Sequence, residues 1–258
     1  ATDVLFSPAL LAPEIRDFYA AADSTRLRFS QEALSGTWEV LLDGRADLVV
    51  GAAGEGPPGG GYRAEPIGQM PFVFAVAPSH PLAALQRPLN KADLMAHRVI
   101  SVADSARRLP ARTVGLLEGQ DTLTVPDLAE KFRFQLAGFG VGFLPEPWAR
   151  AAIARGLLVE KAVEETRAPE QVFLAWRTGE RGAALDWWLQ RLRRTDLLAR
   201  FAASTDALLL SGVIDGDNYL GGELKLDAER AAAAIQANIA GPLNIDPENR
   251  PHIILVVG

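Results

Sequence analysis

Apolar positions between Ala33 and Gly51 change period once. Leu34, Trp38, Leu41 and Leu42 recur at helical spacing, and Leu48-Val49-Val50 then runs without a polar break, as in a strand buried on both faces. Ser35 or Thr37 can cap the helix, and Gly44 can end it in a left-handed conformation. The strand stops at Gly51-Ala52-Ala53-Gly54. An open crevice is predicted at its carboxyl end, where α/β proteins hold ligands.

The same alternation of periods continues on both sides. Val4-Leu5-Phe6 is predicted to end a first strand, and Ser7-Pro8 to open a helix striped by Leu10, Leu11, Ile15 and Phe18. Arg26-Leu27-Arg28-Phe29-Ser30 alternates like a second strand, so residues 1–51 read as β-α-β-α-β with a mostly parallel, right-handed sheet. Gly56 to Gly61 is a surface loop, and its glycines lack the lysine and following helix of a phosphate loop. Met70 to Pro78 reads as a long strand bounded by prolines, Pro88 to Leu94 as a short helix, and Val99 to Val102 as a strand. Thr124 is predicted to cap a helix from Val125 to Ala137, with Asp127 placed for its dipole. Gly138 to Pro145 then supplies a glycine stop and a strand. Pro147-Trp148 opens a helix that ends near Gly156, and Leu157-Leu158-Val159 and Val172 to Trp176 are further strands. Ala183 to Arg194 is amphipathic, and a helix from Leu189 to about Ala203 should close the unit.

This order implies two similar α/β subdomains, one from residues 1–70 and 172–200 and the other from 71–171. Crossing strands near 70–77 and 172–177 would join them, with a binding cleft between.

Composition narrows the function. The 258 residues carry 48% hydrophobic and 22% charged side chains, ordinary for a globular protein, with no apolar run near the roughly 18 residues that span a bilayer. No cysteine is present, which excludes disulfides and thiolate metal sites and fits a cytoplasmic protein. The three histidines His80, His97 and His252 are scattered, so no metal site is predicted. Net charge is −6, and residues 201–258 hold eight acidic against three basic side chains, leaving residues 1–200 nearly neutral. Neither part has the basic surplus of a nucleic-acid-binding surface. Asp43 and Asp47 lack a histidine or serine partner, which argues against catalysis there. The start inside a strand suggests a truncated chain without a signal peptide.

Three stretches resemble the effector-binding domain of LysR-type transcriptional regulators: Leu41 to Gly51, Val76 to Leu82 and Leu136 to Pro145. Each is weak alone; their order and spacing over residues 1–200 carry the resemblance. It implies a periplasmic-binding-protein-like fold of two Rossmann-like subdomains that senses a small-molecule effector without catalysis or cofactor. It also implies a homodimer or homotetramer that reaches DNA only through a helix-turn-helix domain absent from these residues, with no membrane partner.

Candidate effector contacts are Ser7, Ser35 and Thr37 at helix starts, where free N–H groups favour an anion or carbonyl. Ala52 follows a strand end and is small enough to admit a ligand, as is Ala53. Ser101 and Thr124 are the corresponding polar positions of the second subdomain, and Phe139 could wall the cleft. Each has a structural alternative: helix capping for Ser7, Ser35 and Thr124, a core-edge or solvated hydroxyl for Thr37 and Ser101, and core packing for Phe139. Arg107 and Arg108 read as a solvated loop, and Trp187-Trp188 as one core ring and one at its edge.

Residues 201–258 restart the pattern. Ser211 to Gly222 reads as a loop, Ala231 to Ile239 as a helix capped by Asp227, and His252 to Gly258 as a buried strand. Residues 205–248 resemble an internal piece of the hydantoinase and oxoprolinase family, around Asn218 to Gly222 and Gly241-Pro242-Leu243. This suggests a fusion or chimera, and a C-terminal segment of uncertain origin. Two other functions therefore stand beside a regulator's sensor: a solute-binding protein of a transport system, and a fragment of a hydantoinase-like enzyme.

Overall fold

A computed structural model describes residues 1–22, 25–179 and 182–205, all within the compact unit Ala1–Leu209. The loop, helix and strand expected after residue 205, and the hydantoinase-like resemblance, lie outside the described residues.

Five strands form the first sheet: β1 (Thr2–Asp3), β2 (Gln31–Glu32), β3 (Leu48–Ala53), β4 (Tyr62–Met70) and β10 (Glu170–Arg177), in the order β2-β1-β3-β10-β4. The pairs β1–β2 and β1–β3 are parallel, whereas β10 runs antiparallel to both β3 and β4, so the sheet is mixed rather than mostly parallel. The middle of the chain adds β5 (Phe72–Val76), β8 (Gly142–Pro145) and β9 (Val159–Glu160), in the order β8-β5-β9. It also adds a parallel pair, β6 (Val99–Val102) with β7 (Thr122–Val125), which Val141 links to β8 through a parallel bridge to Val99.

Helices cover these sheets: α1 (Ala12–Ala21), α2 (Ser35–Leu42), α3 (Lys91–Met95), α4 (Leu128–Leu136), α5 (Glu146–Ala154), α6 (Ala183–Leu192) and α7 (Leu197–Ala203). The glycine stops fall where expected, with Gly44 at φ 71°, Gly138 at 76° and Gly156 at 71°. Several boundaries differ. The first strand ends at Asp3, because the chain turns there, with the Phe6 N–H donating to the Asp3 carbonyl. The second strand is Gln31–Glu32, downstream of the alternating Arg26 to Ser30. Thr124 lies inside β7 rather than capping α4; Asp127 caps it, its carboxylate accepting the Glu130 N–H at 2.8 Å. The helix expected from Leu189 to Ala203 is two, α6 and α7, the second capped by Asp196.

One hydrophobic cluster runs behind the five-stranded and three-stranded sheets, joining Leu5, Phe6 and Val50 to Val73, Leu144 and Trp148. Phe201 of α7 sits at its centre, edge-on to Phe6 at 5.8 Å and stacked on Trp148 at 5.2 Å. Gly51 lies inside β3 at φ 89°, where β10 shifts register, and a Cβ there would come within 2.1 Å of the Phe6 ring. Trp188 is buried and Trp187 packs at the edge, as the doublet suggested.

Candidate functional site

A cavity of about 340 Å³ opens where the ends of β1 and β3 face β6, β7 and α4. Its wall mixes apolar and ionisable side chains with the hydroxyls of Ser101, Thr113 and Thr124. Val102, Val114, Leu116, Leu128 and Phe143 are apolar, while Asp3, Asp104, Arg112, Lys131, Arg167 and Glu170 are ionisable.

The start of α2 sets one rim. Helix α2 has no side-chain cap of its own; Leu34 precedes it at φ 53°, a conformation that costs a non-glycine residue about 1–3 kcal/mol. The orphan amides of the first turn are instead taken by Asp104. Its Oδ2 accepts from Ser35 N at 3.1 Å and Arg112 N at 2.7 Å, and its Oδ1 from Gly36 N at 3.2 Å and Ala106 N at 2.8 Å. Burial would raise this carboxyl, but the donors of Arg112, Ala106 and Ser35 hold it below its ordinary value. Glu39, from the same helix, reaches the same loop and accepts the N–H groups of Arg107, Arg108 and Leu109. Two carboxylates therefore fasten residues 104–112 to α2.

Asp3 ends β1 at 3% exposure, accepting from Leu5 N at 2.9 Å. Burial pushes its carboxyl up to about 7. Thr37 Oγ1 lies 3.3 Å from Asp3 Oδ2 and also within reach of the Leu34 carbonyl. The Thr37 hydroxyl and the Leu5 N–H both donate to the Asp3 carboxylate and oppose the upward shift, which burial outweighs. On the far side, Glu170 is shared by Arg112 at 2.7 Å and Arg167 at 2.6 Å. Arg167 also lies over the Phe72 ring, 3.4 Å from its centroid.

Of the sequence candidates, Ser101 and Thr124 line the cavity, their hydroxyls 3.3 Å apart on paired positions of β6 and β7. The other five do not line it. Ser7 caps the 3-10 turn Pro8–Leu11 through Ala9 N at 3.3 Å. Ser35 is buried and donates to the Pro110 carbonyl at 2.9 Å. Thr37 is fully buried against Asp3. Ala52 packs in the cluster of Trp38, Val49 and Ala175, and its neighbour Ala53 faces the cavity. Phe139 is 47% exposed and edge-on to Phe134, which also departs from the core alternative. Arg107 and Arg108 are exposed, outside the cavity wall.

Sequence reasoning passed over Lys131. It sits on the inner face of α4 with Leu128, Phe132 and Gln135, where a lysine breaks an apolar stripe, and that break was the available signal.

Residues 1–196 match the family model of the LysR substrate binding domain. The chain belongs to that family. A regulator of Escherichia coli, YeeY, described as an uncharacterized HTH-type transcriptional regulator, is 36% identical over 204 residues, covering 79% of this chain and 66% of the relative. The HTH-type transcriptional activator AllS of Salmonella paratyphi A is 32% identical over 184 residues, covering 71% and 60%. This chain thus spans less than two thirds of the length of those two relatives. Among solved structures, a probable transcriptional regulator of Pseudomonas aeruginosa superposes with a TM-score of 0.54 at 17% identity, over 76% of this chain and 65% of that one. The C-terminal domain of a probable LysR family regulator from a Rhodococcus species gives 0.52 at 16% identity, over 72% and 93%. The periplasmic-binding-protein-like α/β fold is the LysR one. Among the described residues, no helix is long and apolar enough to cross a membrane.

Proposed function

We propose that residues 1–200 are the effector-sensing domain of a LysR-type transcriptional regulator, noncatalytic and cytoplasmic, and that the cavity is the effector site. One observation carries this reading: a cavity of about 340 Å³ is walled by strand ends of the first sheet and, from the middle of the chain, by β6, β7 and α4. Residues 1–70 with 172–200 act as one regulatory subdomain and 71–171 as the other. An effector touching both changes the balance of their arrangements. DNA contact belongs to a part of the regulator beyond the matched length, and a homodimer or homotetramer transmits the change. The names of the sequence relatives favour this over solute transport or a hydantoinase-like reaction.

Titration calorimetry of the 258-residue chain against a metabolite panel tests it, with Thr124→Trp to fill the cavity. Expected is at least one binder that the tryptophan variant loses. No binder at millimolar concentration, or one that Thr124→Trp still binds unchanged, overturns the reading.

A further inference from the structure

Among the described residues, every charged group on the cavity wall has a partner except one. Arg112 and Arg167 share Glu170, and Arg112 also donates to the Ala53 carbonyl at 2.9 Å. Asp104 takes four backbone N–H groups, and Asp3 takes Leu5 N and meets Thr37. Lys131 is 6% exposed, lines the cavity, and has no hydrogen bond or ion pair with any of the described residues. Its ammonium lies beside the backbone of Gly142, where a Cβ would come within 3.2 Å of Nζ. A buried cation left without an acceptor is costly, and an anion placed beside it removes that cost.

We propose that the effector is a small monocarboxylate with an apolar body, and that the Lys131 ammonium is the group that holds its carboxylate. This rests on the cavity being the effector site. The free amides of α2 that would cradle a phosphate are already filled by Asp104, and those of α4 are capped by Asp127. Asp3 and Lys131 both titrate at about 7, and an anion bound beside them favours protonated Asp3 and charged Lys131. In that state Lys131, Arg112 and Arg167 face Glu170 and Asp104, so one negative charge balances the wall. Ser101 and Thr124 hold two hydroxyl protons and use one between them, leaving the other for a carboxylate oxygen. Val102, Val114, Leu116, Leu128 and Phe143 face the rest of the ligand. At about 30 Å³ for a water's share of liquid volume, the space holds about ten non-hydrogen atoms.

The test titrates the full chain with hexanoate and cyclohexanecarboxylate and with their amides, at constant ionic strength. The readouts are the melting midpoint and the ¹³Cε resonances of its four lysines. Expected are carboxylates that bind at least tenfold tighter than their amides and shift the Lys131 resonance. Lys131→Met abolishes that preference and Lys131→Arg keeps part of it. Equal binding of acids and amides, or unchanged acid binding by Lys131→Met, overturns the assignment and leaves the cavity reading standing. Failure of all four probes together with the whole metabolite panel overturns both.

Discussion

The Asp104 carboxylate accepts the backbone N–H of Ser35 at 3.1 Å, from 69 residues further along the chain. With the bond to Gly36, it occupies the amides that a helix start offers to an anion. The site that looked free in the sequence is filled by the protein's own acid, which leaves the effector's charge to Lys131 on the opposite wall. The same contact depends on Gly36. A Cβ there would meet Ser105 Oγ at 1.9 Å and the backbone of Ser105 and Ala106 at 2.8 and 2.9 Å.

Asp104→Asn is expected to destabilise the domain by about 2–4 kcal/mol. The amide keeps one oxygen for two of the four N–H groups and sets its NH2 against the other two, and each unsatisfied buried group costs about 1–3 kcal/mol. Urea denaturation checks this; a loss under about 0.5 kcal/mol would show that the loop holds without its carboxylate.

Gly36→Ala separates two opposing effects. Helix propensity favours alanine by about 1 kcal/mol. The clash with the Ser105–Ala106 backbone, which is not a flexible side-chain tip, costs about 1–3 kcal/mol or more. We expect net destabilisation and faster proteolysis within residues 104–112. A variant more stable than the parent refutes the close approach.

How much of this was legible depends on where the deciding interaction lies. Gly44, Gly138 and the Ser7 cap are local, settled by a positive φ or a neighbouring N–H, and the sequence shows them. Strand β4 was missed because it is an edge strand with polar residues on both faces, and Pro66 and Gly68 read as loop. Thr124 competed with Asp127 as a cap; Asp127 won because it immediately precedes Leu128, while Thr124 pairs with Ser101 across a parallel ladder. Ser35 and Thr37 fail as ligand donors for a long-range reason, since Asp104 and Asp3 reach them from other elements. No local pattern records such a contact.

Stability of the ligand-free domain should pass through a minimum near neutral pH, from two buried groups. Burial raises Asp3 from 3.8 to about 7, with Glu170 adding and Arg112 opposing, so its contribution is lost as pH rises from about 4 to about 7. Burial, with Arg167 nearby, lowers Lys131 from 10.5 to about 7, so the unfolded chain binds the extra proton above that point. Stability from Lys131 therefore grows from about pH 7 to about 10. Urea midpoints at pH 5, 7 and 9 check the shape. Asp3→Asn should flatten the acid limb and Lys131→Met the alkaline one; a maximum at pH 7 that neither variant alters contradicts both assignments.

Glu170→Gln should tighten carboxylate binding even though it removes a cavity hydrogen-bond acceptor. Glu170 is the shared counter-charge of Arg112 and Arg167, and Arg167 lies close enough to Lys131 to depress its ammonium. Removing one negative charge at a separation on the order of 8 Å, at an effective dielectric of 20–40, is worth about 1–2 kcal/mol to an anion. That corresponds to roughly tenfold in affinity. Any guanidinium released from Glu170 acts in the same direction, because it can reach the ligand's oxygens. The matching amide feels neither effect, so its affinity should stay within about twofold. The ligand-free melting midpoint should fall, since two half-buried guanidiniums then share one neutral acceptor. Calorimetry with cyclohexanecarboxylate and its amide reads both arms. If the acid binds more weakly to Glu170→Gln than to the parent, Glu170 is holding the ligand and the cavity's unspent charge is not positive.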